Sequence, residues 1–254
     1  MMFYRAPGEL ESELAEMDEC MPHYYKITGS HGQGAETIMH AEAAFMQGRF
    51  TDAHIALERA YAQIEGNGQE NMALCCDFLA RRLSLFTDIG QRAKLEKRRE
   101  QLLAHHNVSW LNLWNAAAAY HHALLGSTDR IPEAYRRHRL FTVRTLAPGK
   151  PMIEMIENQV YLAQGEYAHV IGRSEGLLAQ CEAMHYALVA LHIRIQTAAA
   201  YEMLGKHGEA RALLERALAD AEPDGFALPF AENFRYLEPL LTERLQGGLT
   251  GRIV

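Results

Sequence analysis

The stretch Leu191–Pro223, LHIRIQTAAAYEMLGKHGEARALLERALADAEP, decides how the rest of the chain is read. Its first half carries apolar or small residues at helical spacing and breaks at Gly205-Lys206-His207-Gly208. A second helical run follows from Glu209 to Ala221, and Pro223 stops it. The predicted unit is a helical hairpin whose small residues sit where two helices approach closely. Counted from Gly205, Ala198 lies at −7, Tyr201 at −4, Ala210 at +5, Leu214 at +9 and Ala217 at +12.

That register is the tetratricopeptide pattern, and it recurs along the chain. Around Gly48, in AEAAFMQGRFTDAHIALERA (residues 41–60), Ala41 lies at −7, Phe50 at +2, and Ala53, Leu57 and Ala60 at +5, +9 and +12. Weaker copies centre on Gly90, between helices expected at Met72–Thr87 and Arg92–His105, on Gly126 after Leu111–Leu125, and on Gly165 after Pro151–Gln164. The five turn glycines are 48, 90, 126, 165 and 205, separated by 42, 36, 39 and 40 residues. A unit longer than the standard 34-residue repeat implies longer helices or connections. In the third copy Ser127–Pro132 lengthens the turn and displaces Ala134 from the register.

A single hairpin cannot bury its apolar stripe, whereas stacked hairpins cover one another. The expected fold is therefore all-α: a right-handed superhelix of about five tetratricopeptide-like hairpins, or about ten helices. Residues 1–34 read as an N-terminal helix (Gly8–Met17) and linker leading into an array over 35–246. Capping helices begin at about 224, divided by Pro229 and Pro239, and 247–254 reads as a disordered tail. The glycines at 29, 32 and 34 suggest a phosphate loop only superficially, because no strand precedes them and no Gly-Lys-Ser/Thr follows; a turn before a helix is expected.

Composition narrows the function. A formal net charge of −7 argues against nucleic-acid binding by this polypeptide, which needs clustered Lys and Arg. Four cysteines without C-x-x-C spacing read as reduced thiols. No apolar run reaches the roughly 18 residues of a membrane span, and the N-terminus lacks signal-peptide blocks, so a cytoplasmic location is expected. The thirteen histidines include the pairs His105-His106 and His121-His122, and His185 and His192 seven apart, but none forms a zinc motif. No metal or cofactor is expected. Carboxylate pairs such as Glu154/Glu157 and Glu209/Glu215 read as solvated helix faces, and no nucleophile elbow occurs. The chain is read as a non-enzyme.

The first helix of each hairpin is expected to line a concave groove. Positions six before each turn glycine are Glu42, Ser84, Tyr120, Gln159 and Ala199, a mixed row suited to a peptide or small molecule. Both tryptophans, Trp110 and Trp114, lie four apart on one helix face. They either fill a hairpin interface or offer rings on which a flat ligand stacks. The candidate groove residues are thus Glu42, Trp110, Trp114, Tyr120, Gln159 and His192.

The 40-residue hairpins, the terminal AAAYEMLGKHGEARALLERALADAEPDGF and the following ALPFAENFRYLEPLL resemble the helical sensor region of large bacterial LuxR-type transcriptional regulators of the MalT-like class. The stretch MMFYRAPGELESELAEMDECMPHYYKITGSHGQGAETIMHAEAAFMQGRFTDA is similar to the section that begins that sensor, so the resemblance covers about Met2–Gln246. It implies a middle domain that takes up a small-molecule inducer or a regulatory protein or peptide, flanked in such proteins by a nucleotide-binding ATPase and a helix-turn-helix. Neither a Walker A motif nor the leucine-threonine-x-x-Arg-Glu signature occurs here, so DNA contact would belong to a part outside this chain. The alternative is a free-standing tetratricopeptide-like scaffold binding a protein or peptide; a helical enzyme using groove histidines and carboxylates is a third reading. No membrane partner is expected, and self-association is left open.

Overall fold

The turn glycines mark where the chain reverses. In the computed structural model, which describes residues 4–65, 68–88, 92–139 and 149–246, Gly48, Gly126, Gly165 and Gly205 adopt φ of 75°, 70°, 78° and 72°. Glycine adopts this left-handed conformation without the Cβ penalty that other residues incur. Gly90, the second predicted turn, lies outside the described residues, as does the predicted tail 247–254.

Among the described residues every regular element is helical. In chain order these are α1 (Leu10–Thr28), α2 (Ala35–Met46), α3 (Phe50–Ile64), α4 (Glu70–Leu83), α5 (Arg92–Ala104), α6 (Val108–Leu124) and α7 (Glu133–Arg136). There follow α8 (Lys150–Gln164), α9 (Tyr167–Ala183), α10 (Ala187–Met203), α11 (His207–Ala221), α12 (Leu228–Glu232) and α13 (Phe234–Gln246). The pairs α2/α3, α8/α9 and α10/α11 pack as antiparallel neighbours, and the first helices follow one another in contact: α2 on α4, α4 on α6, α6 on α8, α8 on α10. The register residues are core: Ala41, Ala53, Leu57, Ala60, Ala198, Ala210, Leu214 and Ala217 are all buried. Small residues permit the close approach, and the leucines fill what remains.

Several boundaries differ from the sequence reading. Helix α1 runs on to Thr28 through Pro22 instead of ending at Met17, and α13 runs through Pro239 instead of breaking there. Each proline removes one backbone donor, to the carbonyl of Asp18 or Arg235 respectively, and all four residues lie on the solvent side, where the freed carbonyl is open to water. The second helix of the third hairpin is reduced to the four residues of α7. Gly29 ends α1 in the left-handed conformation and Gly34 precedes α2 at φ 92°, so the glycine-rich segment is a turn between helices.

The C-terminal segment does more than cap the last hairpin. Helix α12 contacts both α2 and α10, the first helices of the first and last hairpins. Ala227 N–H donates to the Met46 carbonyl at 2.9 Å, and Gln47 Nε2 donates to the Asp224 carbonyl at 2.9 Å. The Asp224 carboxylate accepts from Tyr4 Oη at 2.5 Å, Gly8 N–H at 2.6 Å and Leu10 N–H at 3.2 Å. Tyr4 packs edge-on against Phe226 at 5.0 Å, and its carbonyl accepts from Ala187 N–H at 3.1 Å. The two ends of the chain are thereby stapled. No helix is long and apolar enough to cross a membrane among the described residues.

The turn glycines make a graded test. A Cβ at Gly205 meets nothing within 4 Å, so Gly205→Ala bears only the conformational cost, about 1 kcal/mol. A Cβ at Gly126 stands 2.8 Å from Arg235 Nη1, and the same guanidinium donates to the Ala123 carbonyl at 2.9 Å. Gly126→Ala is expected to cost more than Gly205→Ala in urea denaturation; equal costs would mean that Arg235 yields freely.

Candidate functional site

Helical periodicity puts a continuous stripe of each first helix on one inner face. Residues three or four apart share that stripe: Met72, Cys75, Phe78 and Arg82 on α4; Leu113, Ala116, Ala117 and Tyr120 on α6; Met152, Ile156 and Gln159 on α8; Ile38, Met39, Glu42, Phe45 and Met46 on α2. The N-terminal part of each stripe lines a cavity of about 200 Å³ between α2, α4, α6 and α8. Its lining is apolar and sulfur-rich, with Glu42 as its single charged side chain and Asn71 as its single amide. Cys75 is solvent-accessible in this concavity; desolvation, then the Glu42 charge, pushes its thiol up to about 11. It stays protonated at neutral pH and is a poor nucleophile.

The C-terminal part of each stripe closes on the chain's own α12. Arg82 and Glu232, both buried, form a two-point pair: Nε donates to Oε1 at 2.6 Å and Nη2 to Oε2 at 2.9 Å. Tyr120 Oη donates to the same Oε2 at 2.9 Å. The guanidinium lies over the rings of Phe45, Phe78 and Tyr120 at 5.0, 5.6 and 5.7 Å. Burial pushes the Arg82 pKa down, but Glu232 and then Tyr120 outweigh it and hold it above its ordinary value. Burial followed by Glu232 raises the Tyr120 phenol, which therefore donates. Beside the pair, Gln159 Nε2 donates to Asn233 Oδ1 at 3.0 Å, and Gln196 Nε2 donates to Gln159 Oε1 at 2.9 Å. His192 Nδ1 lies 4.0 Å from Glu232 Oε2, and neither of its ring nitrogens has a hydrogen-bond partner among the described residues.

The predicted groove residues therefore divide three ways. Glu42 lines the cavity. Tyr120, Gln159 and His192 do converge, but around residues 232–233 of the same chain, so the open groove expected there is filled. Trp110 and Trp114 belong to neither place. Trp114 packs with Leu74, Leu102 and Ala118, with Trp110 and Leu113 against it, and Arg81 covers its ring at 4.5 Å. Their shared face turns toward α4 and α5, which corrects their placement in the groove. Of the other row positions, Ala199 is core and Ser84 Oγ donates to the Arg81 carbonyl. Among the described residues no three His, Cys, Asp or Glu side chains gather as a metal set.

Sequence reasoning missed Arg82 and Glu232. A signal existed: Arg82 continues the apolar stripe of Cys75 and Phe78, and a cation there demands a buried partner. Nothing local identifies that partner, 150 residues away. No family model matches this chain, and no curated protein matches it.

The buried His192 and the half-buried His121 set a pH dependence. Burial, then Arg82, lowers the His192 pKa well below 6.5, and burial lowers that of His121 to about 4. As pH falls below 6.5 the unfolded chain takes up these protons first, so stability is complete above 6.5 and drains as pH falls toward 4. His192→Leu removes two unsatisfied buried nitrogens and is expected to stabilise by about 1 kcal/mol at pH 7. It also makes the acid slope shallower in denaturation titrations. A destabilised His192→Leu with an unchanged slope would contradict this assignment.

Proposed function

We propose that the chain is the sensor module of a bacterial regulator of the MalT-like class. Its five hairpins form a right-handed tetratricopeptide-like superhelix that takes up a small apolar ligand on its inner face. Occupancy is passed to ATPase and DNA-binding parts carried outside this chain. The observation supporting this reading is that the inner face keeps an apolar cavity of about 200 Å³, while the adjoining part of the same face is sealed by α12. A concave apolar surface with few polar groups is the form of a small-molecule site, so it suits a ligand better than a pure scaffold. Helix α12, touching the first and last hairpins, is the element through which occupancy would alter the array. A ligand shifts its seating only by binding one seating more tightly than the other.

The test is a thermal-shift screen of small apolar molecules against the full chain, followed by calorimetry. At least one is expected to raise the Tm by roughly 5 °C near saturation. Met152→Trp, which fills the cavity, should abolish the shift. Trp114→Ala should lower the Tm of the free protein and leave the shift intact, because Trp114 packs away from the cavity. No shift with any member of the panel overturns the small-molecule reading, and binding of a peptide segment in its place favours the scaffold.

A further inference from the structure

The sealed part of the inner face has the composition of a carboxylate receptor. A guanidinium fork, a phenol donor and an imidazole stand around one buried carboxylate, and every one of those groups is fully enclosed. The site's polar capacity exceeds what Glu232 uses: among the described residues Arg82 Nη1 has no acceptor, and neither nitrogen of His192, one a donor and the other an acceptor in the neutral ring, has a hydrogen-bond partner. A pair retained only for stability has no need of this surplus, since burying an ion pair roughly breaks even against apolar packing. Phe78 joins the two parts of the face. It lines the apolar cavity and also lies beneath the Arg82 guanidinium at 5.6 Å.

We infer that the Arg82–Tyr120–His192 set is a binding site for an amphipathic monocarboxylate, and that Glu232 of α12 is its built-in competitor. The ligand's carboxylate takes the fork of Arg82 and the Tyr120 hydroxyl, its aliphatic or aromatic body lies along Phe78 in the cavity, and Glu232 withdraws to solvent with the end of α12. Exchanging one carboxylate for another leaves the charge balance of the site unchanged. The discriminating gain comes from the apolar body. A cavity of about 200 Å³ exceeds the roughly 150 Å³ apolar void that holds a benzene ring, which suits a chain of about six to eight carbons. Each methylene entering it multiplies affinity about fourfold. The inference rests on the sensor reading above and deepens it by naming the ligand class.

The test uses butanoate, hexanoate, octanoate, octanol and octylamine on the full chain, with binding measured by calorimetry. In wild type, affinity is expected to climb from butanoate to octanoate. Octanoate, but not octanol, should accelerate amide exchange at Leu228, Phe230, Ala231 and Glu232. Glu232→Ala removes the competitor and should bind octanoate about tenfold more tightly than wild type. Glu232→Gln, which keeps the side-chain shape, serves if the alanine variant does not fold. In the doubly substituted Arg82→Met, Glu232→Leu chain the preference for octanoate over octanol should vanish. Octanol binding to wild type, with no octanoate preference in either Glu232 variant, overturns the carboxylate inference alone. Failure of both octanoate and octanol to bind any variant overturns it together with the cavity reading.

Discussion

Arg82→Met lowers the stability of the folded chain by about 3–5 kcal/mol, read as a fall in the urea midpoint at unchanged slope. The reason is what the substitution leaves behind. Glu232 stays enclosed with the Tyr120 hydroxyl as its remaining hydrogen-bond donor among the described residues, and the guanidinium that held both of its oxygens is gone. Adding Glu232→Leu to Arg82→Met should recover most of the loss, because a well-packed apolar pair replaces an ion pair at little net cost. The two substitutions are therefore strongly non-additive. If Arg82→Met costs less than 1 kcal/mol, or if the second substitution adds to the damage, the pair is not the enclosed unit described above.

Leu57→Ala and Leu214→Ala test the repeat and its closure together. Both residues stand at +9 from their turn glycines and both are fully buried, at 0% and 1% exposure. Each truncation leaves a cavity and should cost about 3 kcal/mol. In an open stack, where each unit contacts only its neighbours, damage to the first hairpin and to the fifth would loosen separate ends. Here Asp224 ties Tyr4, Gly8 and Leu10 to the C-terminal segment, and α12 spans α2 and α10. Both variants are accordingly expected to shift one common unfolding transition by similar amounts. Two resolved transitions in calorimetry, moving independently in the two variants, would mean that the staples do not couple the ends.

The helices and their turns were legible because they depend on neighbours in sequence. Gly205 and Gly48 announce a left-handed turn, and the small and apolar positions at fixed offsets from them are buried where the register asks. Pro239 misled because a helix can continue through a proline where the carbonyl it orphans is open to solvent, as on the outer face of α13; Pro22 is accommodated in α1 in the same way. Trp110 and Trp114 were correctly put on one face, but four-residue spacing does not say which way a face points. That direction is set by the packing of α4 and α5 against α6.

The sequence by itself determined an all-helical chain, the turns at Gly48, Gly126, Gly165 and Gly205 and the core residues of the first and last hairpins, since these follow from 3.6-residue periodicity and from the conformational freedom of glycine. Only the tertiary structure decided what the inner face holds. Tyr120, Gln159 and His192 lie on that face in either view, yet whether they meet solvent, a ligand or the chain itself depends on where residues 228–233 return. That return is governed by the partnering of Arg82 with Glu232 and of Tyr4 with Asp224 across 150 and 220 residues. Burial of a charge selects a counter-charge wherever the fold can supply one, and no local pattern records the choice.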